Sequence, residues 1–269
     1  MRWTGSLRLA AKGMVLGSLL AVAAAPAGAE TLDALVAKGK VAIGVMSGIP
    51  PYDSIDADGN TVGYHVDVAN MIGKALGVEV ELVPVNNASR IAALQSGRVD
   101  ILVAQTTATP ERAKAVMFTA PYGSYIQAIV ARKDVAITTL DDLANKSVSV
   151  PKGSVQDLTL SSMNIPGLRI ERFDDDALAM QALLSGQVDS TVAVEVMTND
   201  LFAKRGITDY EIKVPLYKQY FSIGVRQGDF ELLQWLNNFI FHVNVTGDLE
   251  KVHEKWTGVG MPGGPLPAF

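Results

Sequence analysis

The sequence of 269 residues contains no cysteine and only three histidines. The missing thiols exclude disulfide bonds, a cysteine nucleophile and any metal site built on thiolates. The histidines are scattered (His65, His242 and His253) and lack the spacing of a zinc-binding pair such as H-E-x-x-H. We therefore expect neither a metal site nor a cofactor in this protein.

Basic residues are fewer than acidic ones. The chain has 23 Lys and Arg against 28 Asp and Glu, a formal net charge of −5. No basic stripe of the kind that binds nucleic acid is visible, so we expect no nucleic-acid partner. An acidic surface is ordinary for a soluble exported protein.

The first 29 residues resemble a secretory signal peptide. Residues 1–12 carry three cations and no acid, residues 13–25 are almost wholly apolar, and Ala27-Gly28-Ala29 has the small residues of a cleavage site. The apolar run is shorter than the roughly 20 residues that span a bilayer. We expect cleavage before Glu30 and, because no cysteine follows, a protein without a lipid anchor in a bacterial periplasm.

Helix and strand patterns alternate along the remainder of the chain. Val41–Val45 and Val99–Val103 are apolar runs typical of strands, and residues 66–76 have the helical period closed by Gly77. Such alternation predicts an α/β fold with a mostly parallel sheet.

Residues 92–100 (AALQSGRVD) resemble residues 181–189 (QALLSGQVD). The likeness is either a common connector met twice or the mark of two similar lobes. In the second case the chain would leave the first lobe near Phe118–Tyr122, before a strand at 125–131. It would return near Pro215–Phe221, before a strand at 222–225. We expect residues 30–120 and 222–269 to form lobe 1, residues 121–221 to form lobe 2, and the lobes to close by hinge motion.

Residues 104–113 (AQTTATPERA) follow a predicted strand and start a helix, with Thr109 as N-cap and Pro110 at the first position. Arg112 lies in the first turn, where a cation opposes the helix dipole. Free helix N–H groups, the hydroxyls of Thr106 and Thr107 and a planar guanidinium together suit a carboxylate. The alternative is a solvated surface arginine.

Two further stretches follow predicted strands of the second lobe. Ser154 is a candidate N-cap, which leaves the N–H groups of Val155 and Gln156 free for an anion, and a plain capped helix is the alternative. Glu195 could meet a ligand ammonium, and a solvated glutamate at a helix start is the alternative.

Lobe 1 offers other candidates. Asn87 and Arg90 precede a helix, and Tyr52 lies on a loop after Pro50-Pro51, where it is either a wall for a ligand or part of the core. Nucleophile motifs, Walker loops and dinucleotide fingerprints are missing from the sequence. These candidate residues of both lobes suit the binding of a small zwitterion rather than its chemical conversion.

Residues 63–72 (GYHVDVANMI) resemble the signature of the family 3 bacterial extracellular solute-binding proteins, the periplasmic polar amino-acid receptors of ABC importers. The resemblance runs over residues 31–258, through the motifs at 94–100, 109–112, 118–122, 150–154 and 254–256. It implies a two-lobed Venus-flytrap fold of type II with two hinge strands, an amino acid or a close derivative, possibly acidic or polar, as ligand, and a membrane permease as partner. We expect a monomer.

The resemblance also implies roles for single residues. Arg112 would hold the ligand α-carboxylate beside Thr107 and the backbone of Gln105, and the turn at Ser154 would contact it from the second lobe. Arg90 matches an arginine of glutamate and aspartate receptors, although it could also pair with Glu195 or Asp100. The expected ligand contacts are Tyr52, Asn87, Arg90, Gln105, Thr106, Thr107, Arg112, Ser154, Val155, Gln156 and Glu195.

Two positions depart from the family pattern. His65 replaces an acid of the signature, at a position that we expect on the helix surface. Val194 stands where many members have the ammonium-binding Asp, and an acid follows only at Glu195. We therefore expect a binding protein. The alternatives are a cyclohexadienyl-dehydratase-like enzyme with Glu195 as general acid, and a soluble sensor domain.

Overall fold

The computed structural model describes Met1 and residues 32–46 and 50–261. The predicted signal peptide therefore lies outside the described residues, except for Met1. The strands are β1 Lys40–Met46, β2 Ser54–Ile55, β3 Thr61–Val62, β4 Glu79–Val85, β5 Ile101–Thr106, β6 Val116–Arg132, β7 Ser147–Pro151, β8 Arg169–Phe173, β9 Ser190–Val194 and β10 Tyr210–Arg226. The helices are α1 Leu32–Lys38, α2 Tyr64–Leu76, α3 Arg90–Gln95, α4 Pro110–Ala113, α5 Val155–Ser162, α6 Asp176–Leu184, α7 Glu195–Arg205, α8 Phe230–Val245 and α9 Asp248–Thr257, with a 3-10 helix at Leu140–Leu143.

Eight strands form one sheet in the order β4-β1-β5-β10-β6-β9-β7-β8. In the first lobe β1 pairs in parallel with β4 and β5, and in the second lobe β7 pairs in parallel with β8 and β9. Helices follow these strands, as the alternating pattern predicts. The predicted α/β class and the two-lobed arrangement are therefore confirmed.

Strands β6 and β10 connect the lobes. Each has 17 residues, and they pair antiparallel from Val116↔Arg226 to Arg132↔Tyr210. Strand β10 pairs with β5 at one end, and β6 pairs with β9 at the other. Both strands thus run continuously from one lobe into the other.

The predicted strand starts at Tyr125 and Ser222 are wrong, because both positions lie inside these long strands. Each predicted start follows a proline, Pro121 or Pro215. The ladder shifts register next to Pro215 and opposite Pro121, between Phe221 and Ser222. A β-bulge accommodates the missing N–H of a proline without ending the strand.

A buried pair stands at the start of α2. His65 is fully buried, and its Nδ1 lies 2.6 Å from Oδ2 of Asp53, which is also fully buried. The expectation that His65 lies on the helix surface is therefore wrong. Helix α2 begins two residues before the predicted start, at Tyr64, so its first turn is covered by the Tyr52 loop, and His65 N donates to the Tyr52 carbonyl at 3.1 Å.

Gly63 allows this close approach. Its φ is 144°, and a Cβ there would lie 2.1 Å from the carbonyl oxygen of Tyr52. Only glycine meets both conditions without moving the backbone. The Tyr52 loop is therefore held against the start of α2, and the Tyr52 side chain is buried in the hydrophobic cluster of the first lobe.

Candidate functional site

Arg112 touches both lobes. Thr109 caps α4, its Oγ1 accepting from the Arg112 N–H at 3.2 Å, and Pro110 occupies the first turn as predicted. The guanidinium donates from Nη1 to the Thr107 carbonyl at 3.1 Å and from Nη2 to the Gly153 carbonyl of the second lobe at 3.1 Å. Burial lowers the pKa of Arg112. Helix α4 has only four residues, so the opposing dipole is that of a single turn.

The end of β5 turns sharply beside Arg112. Gln105 is buried with φ 54°, a left-handed conformation that few residues other than glycine adopt. The hydroxyl of Thr106 donates to the Ala104 carbonyl at 3.1 Å, and that of Thr107 donates to the Tyr220 carbonyl at 2.9 Å. Because each hydroxyl has one proton, neither donates to an anion in this arrangement.

Helix α5 of the second lobe begins next to the Gly153 carbonyl. Ser154 is buried and caps the helix as predicted, accepting from the Asp157 N–H at 3.2 Å. Gln156 is also buried, whereas Val155 is half-buried. The structure thus brings the predicted turn of lobe 2 together with Arg112.

Arg90 is buried in lobe 1, with 2% of its surface exposed. Its Nη1 donates to the Ala104 carbonyl at 3.0 Å and lies 3.5 Å from the Gln105 carbonyl, whereas Nε has no hydrogen-bond partner among the described residues. Burial lowers its pKa to about 9. Among the described residues, Arg90 forms no ion pair with Glu195 or Asp100, the two partners that the sequence left open. Asp100 instead accepts from the Ala42 N–H and pairs with Arg226.

Asp176 of the second lobe faces this region of the first, and sequence reasoning missed it. The residue is the first of α6, whose cap is Asp175. Burial raises the pKa of Asp176 to about 6, while Arg90 and hydrogen bonding with the Asn87 side chain act in the opposite direction. In the sequence Asp176 is one of three consecutive acids, a pattern that usually marks a solvated turn. Its position after β8, at a carboxyl strand end, was the available signal.

Glu195 and Tyr52 lie around a different space. A cavity of about 200 Å³ is lined by Tyr52, Tyr125, Ile126, Glu195, Val196, Asn199, His253, Val259 and Gly260. The Tyr52 ring is fully buried, its hydroxyl 3.4 Å from Nε2 of His253. Val194 is buried and packs in the hydrophobic cluster of the first lobe. No hydrogen bond or ion pair between described residues joins Glu195 to Arg112, Arg90 or Asn87.

The described residues contain no group of three or more His, Asp or Glu side chains that could hold a metal ion. Among the same residues no helix combines the length and the apolar character that crossing a membrane requires.

Residues 41–259 match the family described as bacterial extracellular solute-binding proteins, family 3. The chain belongs to this family and is a solute-binding protein. Among its curated relatives is the L-cystine-binding protein TcyJ of Escherichia coli strain K12, 31% identical over 232 residues, which cover 86% of this chain and 87% of that protein.

Solved structures have the same fold. The solute receptor for L-cysteine of Neisseria gonorrhoeae is 29% identical with a TM-score of 0.78, over 84% of this chain and 93% of that one. The ancestral amino acid-binding protein AncCDT-1, a precursor of cyclohexadienyl dehydratase, is 32% identical with a TM-score of 0.75, over 84% and 99%.

Proposed function

We propose that this protein captures an amino acid or a close derivative between its lobes and delivers it to the membrane permease of an ABC importer. The observation that carries the proposal is Arg112, whose guanidinium spans from Thr107 of lobe 1 to Gly153 of lobe 2. A carboxylate that replaces one of these carbonyls gains a bidentate, charge-assisted pair. The named relatives bind cystine and cysteine, which supports an amino-acid ligand.

The mechanism that we propose is a shift in population. A ligand that contacts both lobes favours the closed arrangement by the difference between its affinities for the closed and open states. Residues 30–120 and 222–269 would move as lobe 1 and residues 121–221 as lobe 2. The ligand would be held by the predicted contacts around Arg112, namely Asn87, Arg90, Gln105, Thr106, Thr107, Ser154, Val155 and Gln156. Bending would occur where β6 and β10 shift register, because those residues lack regular ladder bonds.

Calorimetric titration with the twenty common L-amino acids and L-cystine tests this function. We expect one or a few of them to bind. Arg112→Ala should then weaken binding by roughly 10- to 150-fold, because a charge-assisted hydrogen bond is worth about 1.5–3 kcal/mol. Arg98→Ala is the matched control, since Arg98 is exposed. Equal binding by the wild type and Arg112→Ala would remove Arg112 from the site, and binding of no compound would overturn the function.

We propose that the protein binds its ligand without transforming it. Glu195 lines the cavity beside His253 and is the one candidate general acid from the sequence, and AncCDT-1 shows that a related fold preceded a dehydratase. Release of phenylpyruvate from prephenate or arogenate is the assay that separates the two functions. We expect none, and a product signal lost in Glu195→Gln would establish the enzyme.

We further propose a periplasmic location and a monomeric state. The family is extracellular, and the cationic and apolar residues 1–29 support export. Osmotic release from an expressing Gram-negative cell should yield a soluble chain that begins at Glu30, and light scattering should give the mass of one chain.

A further inference from the structure

The second lobe needs an acid if the ligand is a zwitterion held at Arg112. Val194 cannot supply one, because it is an apolar side chain, 4% exposed, packed in the cluster of lobe 1. Glu195 is half-buried and lines the cavity with Tyr52 and His253. No hydrogen bond or ion pair between described residues joins Val194 or Glu195 to Arg112 or to the polar residues of lobe 1 near Arg112.

Asp176 begins α6 close to the turn that Arg112 contacts. Strand β8 ends beside that turn, because the Lys152 N–H donates to the Phe173 carbonyl at 2.8 Å while the Gly153 carbonyl accepts from Arg112 at 3.1 Å. Tyr125 and Tyr217 each interact electrostatically with both Arg112 and Asp176. Arg112 belongs to lobe 1 and Asp176 to lobe 2. A cation and an anion that face one cleft from opposite lobes match a carboxylate and an ammonium group on one ligand.

Two buried side chains of lobe 1 have unused hydrogen-bonding capacity. Nε of Arg90 and Nε2 of Gln105 have no hydrogen-bond partner among the described residues, although both side chains are more than nine-tenths buried. A buried donor without an acceptor is destabilising. Both donors belong to lobe 1, and Arg90 is, with Asn87, one of the two lobe 1 residues that act on the Asp176 carboxylate. Buried donors without acceptors are typical of a ligand-binding site rather than of a permanent contact between two lobes.

We propose that Asp176 receives the cationic group of the ligand, in the role that relatives give to an acid at the position of Val194. The inference rests on the proposed amino-acid function. Arg90 keeps the carboxylate ionised, and Asn87 orients it across the cleft. The ligand carboxylate displaces the Gly153 carbonyl from Arg112. The ligand ammonium then lies between Asp176 and the phenols of Tyr125 and Tyr217, which keeps the two lobes joined.

The test compares Asp176→Asn, Glu195→Gln and Asp175→Asn. The probes are the tightest binder among the common L-amino acids and L-cystine, and its analogue with hydrogen in place of the α-ammonium group. Asparagine keeps the size of aspartate and can still accept from Asn87. Asp175→Asn is the matched control, because it removes the same charge one residue away and asparagine remains a good helix cap.

We expect Asp176→Asn to weaken the amino acid by roughly 10- to 150-fold and to change binding of the analogue by less than about threefold, since only the amino acid loses a charged partner. Asp175→Asn and Glu195→Gln should keep the preference of the wild type. If Asp176→Asn weakens both probes equally, or if Glu195→Gln is the variant that loses the preference, the assignment is overturned. A wild type that binds no amino acid overturns the proposed function instead.

The pH dependence is a second measurement. The charged and titratable groups that face Asp176 are Arg90 from α3, Asp175 from its own helix, Tyr125 from β6 and Tyr217 from β10. Asp176 ionises with a pKa of about 6, so its negative charge is lost as the pH falls through that value. Affinity for the amino acid should fall about tenfold from pH 7.5 to pH 5 in the wild type, by proton linkage. It should stay flat in Asp176→Asn, and an unchanged slope in that variant would contradict the assignment.

Discussion

At the scale of single residues, His65 departs from the family signature. The resemblance to the signature predicts an acid at this position. In the structure His65 is buried against Asp53, with its Nδ1 2.6 Å from the carboxylate. Burial raises the pKa of Asp53 to about 6, and the imidazole acts in the opposite direction. The rings of Tyr52, Tyr64, Tyr122 and Phe221 surround His65 at centroid distances of 5.4–5.8 Å. The histidine at this position is therefore part of the buried core.

A double-mutant cycle at this pair is the prediction at the residue scale. His65→Phe should lower the free energy of unfolding by about 3–5 kcal/mol, because it leaves the Asp53 carboxylate buried without its partner. Asp53→Leu with His65→Phe should recover at least half of that loss, since a buried pair replaced by apolar groups costs little. Urea denaturation measures both. Equal losses in the single and double variants would mean that packing, rather than the unpaired charge, sets the cost.

At the scale of elements, the paired strands β6 and β10 carry the connection between the lobes. They cross the aromatic cluster at Gly123 and Phe221, which are partners in the ladder. A Cβ on Gly123 would lie 2.3 Å from two ring atoms of Phe221 and 3.2 Å from the hydroxyl of Tyr64. Phe221 is fully buried, and its ring is 4.9 Å from that of Tyr122 and 5.2 Å from that of Tyr125. The strands can therefore touch here only because residue 123 has no side chain.

Gly123→Ala should accordingly destabilise the fold by about 1–3 kcal/mol, the usual cost of overpacking a filled core. Gly224→Ala is the matched control in β10, where the nearest atoms, on Leu102 and Leu94, are 3.3 Å from the added Cβ. We expect the control to lose less stability in the same urea titration. A loss in Gly224→Ala equal to or larger than that in Gly123→Ala would show that the Phe221 ring moves away at little cost.

Over the whole molecule, the two lobes meet at the cleft and at the hinge. Arg112 and Gly153 join them at the cleft, and Val194, Val196 and Met197 of the second lobe pack against the cluster of the first. A ligand that bridges the cleft adds a third connection. The lobes should then unfold together when the ligand is bound.

Scanning calorimetry tests this coupling. An amino acid present at one hundred times its dissociation constant should stabilise the protein by about 2.7 kcal/mol. For a chain of this size that corresponds to a rise in Tm of about 5–11 °C. We expect one transition that moves as a whole. Arg112→Ala should show about half of that shift or less at the same concentration, because its affinity is 10- to 150-fold lower. Two transitions, of which only one moves, would mean that the ligand contacts a single lobe.

Local patterns in the sequence determined the elements and much of the likeness to the family. The helical period closed by Gly77, the cap at Thr109 with Pro110 and the cap at Ser154 all appear in the structure where they were predicted. Each depends on neighbouring residues and on the conformational preferences of Thr, Pro, Ser and Gly. The two-lobed class followed from the order of the family motifs and is confirmed by the solved relatives.

Only the tertiary structure decided which side chains meet. The long strands run through Pro121 and Pro215 and past the predicted strand starts at 125 and 222, because bulges absorb a missing N–H. His65 became buried because the Tyr52 loop folds over α2, a contact that no helical period encodes. Asp176 and Arg90 are 86 residues apart in the chain and belong to different lobes. Their encounter depends on how the lobes close about β6 and β10, so the acid that faces the cleft could be found only once the chain was folded.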